Sequence, residues 1–121
     1  MPKQWKASGS ATSKKTSPTT RTVDGTGNAR HLGQSTFHND VVCTNADCTT
    51  GKSKITIVAA NGDKVRAKGE HSGSVNHVTI TGGTGRFAGA SGAFTSTVTS
   101  FVVDQNNSLS ITFTQWGTID Y

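Results

Sequence analysis

The sequence predicts an all-β fold, a single small antiparallel barrel of about eight strands. Three observations carry that prediction. Apolar and polar residues alternate with the period of a strand along most of the chain, and no window shows the apolar period of a helix. Turn signals recur at short, regular spacing, the pattern of a barrel or sandwich. Only 31% of the 121 residues are hydrophobic, while Gly fills 14 positions, Thr 20 and Ser 13, too few apolar residues for a large solid core. Strands with one apolar and one Thr/Ser face suit a closed barrel. Its lumen takes side chains or one small ligand, and closure hides the sheet edges.

The elements follow in chain order. Residues 3–13 and 20–27 are the two weakest strands, and Pro18 falls between them, where a connection tolerates it. Residues 34–44 form a strand containing Phe37, Val41, Val42 and Cys43. Residues 52–60 align Ile55, Ile57 and Ala59 on one face. Asn61-Gly62 is the strongest hairpin signal in the chain, and 63–70 returns from it. Residues 74–81 place Asn76, Val78 and Ile80 on one face, with Val75, His77 and Thr79 on the other. In 92–104 the apolar face changes phase between Phe94/Val98 and Phe101/Val103, so a bulge is expected near Thr99 or Ser100. Gln105-Asn106-Asn107 reads as a hairpin turn. The last strand, 108–121, aligns Leu109, Ile111, Phe113, Gln115, Gly117, Ile119 and Tyr121, with Trp116 on the opposite face.

The charge is unevenly placed. Twelve Lys+Arg face seven Asp+Glu, a net charge of +5. Lys3, Lys6, Lys14, Lys15 and Arg21 lie in a leading stretch without acids, and the remainder is balanced. This sets apart residues 1–20, a basic Ser/Thr-rich N-terminal segment contributing a first strand, from a barrel body over 21–121. The segment reads as a solvated first hairpin or a loose arm, with docking to an acidic polymer or membrane surface as the rival. A basic stripe interleaved with aromatics is missing, so no nucleic-acid partner is expected. No stretch approaches the ~20 apolar residues of a membrane span. No apolar run follows Met1, so no signal peptide is read.

Cys43 and Cys48 flank Thr44-Asn45-Ala46-Asp47 at a strand end. A disulfide across this rim loop is the preferred reading, and it points to a secreted or periplasmic location. With no signal peptide visible, a cytoplasmic protein with reduced thiols stays open, as does metal binding with His38 and Asp47. The spacing lacks the second ligand pair of a structural zinc site, so no metal is expected.

Gly82, Gly83, Gly85, Arg86, Phe87, Gly89 and Gly92 form the most specific stretch. It lacks the G-K-[ST] ending and following helix of a phosphate loop. A structural loop is expected instead, with Phe87 anchored in the core and Arg86 capping the rim. This stretch, leading into Ala93-Phe94-Thr95, resembles the glycine-rich connection of allene oxide cyclase and dirigent barrels, a calycin-like architecture. It is closer still to small bacterial members that pair it with a segment like Gly25-Thr26-Gly27-Asn28-Ala29-Arg30-His31-Leu32-Gly33. The resemblance covers roughly 20–121. It implies an eight-stranded barrel with a partly apolar lumen, often a dimer or trimer, whose chemistry is cofactor-free restriction of a reactive substrate's conformations. The catalytic residues of the plant enzymes have no counterpart here.

Residues that could do chemistry are scarce. Glu70 is the sole Glu, and no G-x-S-x-G or H-E-x-x-H motif occurs. The catalytic candidates are Asn76, His77 and Glu70. Neighbours on a strand face opposite ways, so Asn76 and His77 cannot both line the lumen, and the company of Val78 and Ile80 favours Asn76. His31 reads as a turn-fixing residue and Trp116 as a subunit-contact anchor. The leading function is binding of an apolar small molecule in a lumen lined by Phe37, Ile57, Val78, Ile80, Phe94, Ile111, Phe113 and Gln115. If the protein is an enzyme, cyclisation or isomerisation without a cofactor is expected rather than hydrolysis. The alternative is a secreted structural or self-assembling protein with a filled barrel. Adhesion to a polymer is a third reading, resting on the basic segment alone.

Overall fold

The computed structural model describes residues 2–45, 47–103 and 108–121. Eight antiparallel strands follow one another: β1 (Lys3–Ser17), β2 (Thr20–Ala29), β3 (Gly33–Cys43), β4 (Thr50–Val58), β5 (Lys64–Ser72), β6 (Val75–Gly83), β7 (Ser91–Val103) and β8 (Leu109–Asp120). Each pairs with its sequence neighbours, and β8 returns to β1 to close the barrel. A 3₁₀ turn, Gly85–Phe87, connects β6 to β7.

Alternation builds the lumen. Along β4, Gly51, Ser53, Ile55 and Ile57 are buried while Lys52 and Lys54 are exposed. The expected change of phase in β7 occurs where the β7–β8 register shifts between Val98 and Ser100. One extra residue there lets Phe101 oppose Ile111 and Val103 oppose Leu109. In the Asn61-Gly62 turn, Asn61 Oδ1 accepts the Asp63 N–H at 3.0 Å. The turn expected at 105–107 lies outside the described residues.

No boundary separates the basic segment from the barrel. β1 pairs with β8 over Lys3–Ser13 and with β2 over Ala7–Ser17. Trp5 is fully buried and stacks on Phe94, with ring centroids 4.5 Å apart. The loose-arm reading therefore gives way to an integral strand. An indole is the largest single apolar surface a short strand can contribute, and it holds this strand in place.

The barrel is plugged at one end. Trp5, Leu32, Val65, Phe87 and Ile119 are the most buried large side chains, all at this end. Tyr121 packs edge-on against Phe87. The glycine loop seals the plug. Gly85 takes a φ of +56° beside the Asp63 carboxylate, which accepts the Arg86 N–H at 3.3 Å. The Arg86 guanidinium donates to the His31 carbonyl at 2.7 Å.

Candidate functional site

At mid-height the lumen is core rather than pocket. Ile57, Val78, Ile80 and Phe94 belong to the buried cluster, and Phe37 packs against it. Phe37 meets Phe113 edge-on at 5.2 Å. Gln115 accepts from the Trp5 indole N–H at 3.0 Å and donates to Ser96 at 3.4 Å. Between Trp5, Phe37, Ile57, Phe113 and Gln115 remains a cavity of about 20 Å³. That is room for one water, whereas small-molecule pockets run to about 300–1,000 Å³. The eight residues expected to line a ligand pocket thus mostly fill one another's space, because a narrow barrel leaves aromatic side chains nowhere else to go.

The opposite end, the mouth, has a different lining. Arg21 on β2 opposes Val41 on β3, Val41 opposes Ser53 on β4, and Ser53 opposes Gly69 on β5. Asn76 on β6 lies over Gly69, so a Cβ there would come 2.6 Å from Asn76 Oδ1 and 2.8 Å from Ser53 Oγ. The missing side chain at position 69 is what lets Asn76 and Ser53 share this corner. Asn39 stands next along β3, between Phe37 and Val41 on the lumen face. Arg21 Nε donates to Ser13 Oγ at 2.9 Å. Arg21 Nη2, Asn39 Oδ1, Ser53 Oγ and Asn76 Oδ1 are shut off from solvent yet have no hydrogen-bond partner in the protein. Each such group costs on the order of 1–3 kcal/mol.

Across the mouth the wall is apolar. Leu109 and Ile111 are half-buried, and Phe101 beside them is 65% exposed. β7 runs on past its last pair with β6, Val75–Thr97, and pairs Phe101 with Ile111 and Val103 with Leu109 beyond that level. The rim is pinned by the Cys43–Cys48 disulfide, and His71 Nε2 lies 3.1 Å from the Cys48 carbonyl oxygen. The pairing expected from the sequence is present.

The other candidates lie elsewhere. Asn76 faces the lumen, whereas His77 and Glu70 oppose each other on the outer face, exposed to water. His31 takes a φ of +75° within its turn. Among the described residues no group of three His, Cys, Asp or Glu could hold a metal ion. Outside the barrel, Trp116 is 68% exposed in a groove with Lys6, Asn28 and Thr95. His38 sits between Asp24, 2.5 Å from Nδ1, and Asp40, 3.0 Å from Nε2. Hydrogen bonding to Asp24 first, then to Asp40, raises its pKa above the usual 6.5.

Arg21, Asn39 and Ser53 were not anticipated as site residues. Their signal was parity: each shares a face with its apolar neighbours two residues away, Val23, Phe37 or Ile55.

The closed eight-stranded antiparallel barrel is a fold that this chain shares with solved dirigent proteins. Two solved structures make the likeness concrete. The pterocarpan synthase dirigent protein GePTS1 superposes with a TM-score of 0.59 over 100% of this chain and 84% of its own, at 14% identity. The pterocarpan synthase dirigent protein PsPTS1 gives 0.55 over 97% and 93%, at 11% identity. No family model and no curated protein matches the sequence. At such identities the likeness is one of fold.

Proposed function

We propose that this chain binds an apolar small molecule at the open mouth of its barrel and acts by constraining the ligand's conformation. One observation carries the reading. The two ends differ, one sealed by its most buried side chains and the other leaving Phe101 and Val103 exposed where they pair with half-buried Ile111 and Leu109. Exposed apolar side chains gathered in one place are typical of a binding site. The dirigent neighbours, named as pterocarpan synthases, support small-molecule chemistry on this architecture. No nucleophile–base pair accompanies the mouth among the described residues, so any catalysis would be cyclisation or isomerisation by positioning. The disulfide fits a secreted or periplasmic protein. Trp116 offers an anchor for a homo-oligomer.

Native mass spectrometry, paired with titration of the neutral fluorophore N-phenyl-1-naphthylamine, tests the reading. Retained mass, or probe fluorescence that Phe101→Ser abolishes, is the expected result. An empty protein that leaves the probe dark overturns it. The second reading, a structural barrel without ligand, draws on the small size of the mid-lumen cavity, about 20 Å³. It predicts that outcome together with an open-ended series of oligomers.

A further inference from the structure

We infer that the mouth is built for an organic anion, a carboxylate received by Arg21 and Ser53 on a ligand that also brings a hydrogen-bond donor to Asn39 and Asn76. The inference rests on the small-molecule reading above and adds the ligand's chemical class. It starts from the four unpartnered atoms. Ser53 is 7% exposed and its hydroxyl oxygen touches neither water nor a partner. Arg21 spends Nε on Ser13 and leaves Nη2 buried and unused. No carboxylate among the described residues pairs with this guanidinium. A cation drawn into a lumen without a counter-charge is costly, and an incoming anion removes that cost.

The remaining atoms refine the class. The guanidinium and the serine hydroxyl can both donate, which suits a carboxylate. Asn39 and Asn76 turn amide oxygens inward, which suits a hydroxyl or amide donor carried by the same ligand. The wall of Ile111 and Phe101 accommodates an apolar body. The surrounding charge favours anions as well. Lys14 and Lys15 stand exposed at the same end of β1, and Lys52 and Lys54 on β4, while the described acids at this end, Asp40, Asp47 and Glu70, are all exposed, Asp40 and Glu70 on the outer face and Asp47 in the rim loop. The complementary molecule is a small amphipathic hydroxy acid.

The test compares three probes of nearly equal size on the full chain by isothermal titration calorimetry: mandelate, methyl mandelate and phenylacetate. Mandelate is expected to bind about tenfold more tightly than its ester, the scale of a charge-assisted hydrogen bond. Phenylacetate, lacking the hydroxyl, should fall between them. Arg21→Gln should bring mandelate and ester to within about twofold of each other. The comparison on the unaltered protein stands even if that variant fails to fold. Equal binding of mandelate and ester overturns the inference and leaves the small-molecule reading intact, as does fluorophore binding with neither mandelate nor ester bound. If the fluorophore is also excluded, both readings fall together.

Discussion

The two ends of this barrel are made from the same eight strands yet solve opposite problems. At the plugged end, Trp5, Leu32, Val65, Phe87 and Ile119 are buried with their polar atoms satisfied, the indole N–H by Gln115 and the loop backbone by Asp63. At the mouth, Arg21, Asn39, Ser53 and Asn76 are held out of water with hydrogen-bonding capacity unused. A protein selected only to be stable gains nothing from the second arrangement, since apolar replacements of similar shape would remove the penalty. The difference teaches that packing and hydrogen bonding are complete at one end and left incomplete at the other, the kind of local rule-breaking that the proposed site would explain.

The comparison breaks most visibly if the plug is removed. Trp5→Ala should cost about 3–5 kcal/mol in urea denaturation, the range for losing a large buried aromatic. A loss below roughly 1 kcal/mol would mean that the plug is not where stability resides. At the mouth, replacing Cys43 and Cys48 together by Ser should cost about 2 kcal/mol, because the bridged loop is short. Its probe affinity should fall as well, since the rim is no longer pinned. Ser53→Ala carries the opposite sign. Removing an unpartnered hydroxyl should raise stability by roughly 1 kcal/mol while weakening mandelate. Destabilisation there would show that the hydroxyl has a partner after all.

The smallest effect is on the outer face. His38 has its pKa raised above 6.5 by Asp24 and Asp40, so its contribution to stability is complete below about that pH and is lost as the pH rises through the higher folded value. His38 is half-exposed, which keeps the contribution small. An NMR titration should place His38 above 6.5, and Asp24→Asn should lower it. Unchanged titration in that variant would remove Asp24 as the cause.

How legible all this was in the sequence depends on the face in question. Strands such as 52–60 and 108–121 announce themselves because Ile and Phe recur at every second place, and the bulge near Thr99 shows as a break in that rhythm. Trp5 did not, because the lumen side of β1 continues with Ala7, Gly9 and Ala11, too small to mark an apolar face amid Ser, Thr and Lys. Arg21, Asn39 and Ser53 were hidden for the converse reason. Polar types are read as outward-facing, and only the parity of their neighbours says otherwise. Ile57, Val78, Ile80 and Phe94, expected around a pocket, lie in the buried cluster, but whether such residues enclose space or fill it depends on barrel radius, which periodicity does not encode.

The order of the strands has a kinetic consequence. Among the described residues, seven of the eight ladders join strands that are consecutive in the chain. The exception is the seam where β8 meets β1 and Lys3 opposes Ile119. Hairpins can accumulate one after another at low entropic cost, but the seam must gather the whole chain before it forms. Until that moment both of its edges are open for pairing with another molecule. Trp5, on one lip and bonded to Gln115 on the other, is then the latch whose closing ends the vulnerable interval.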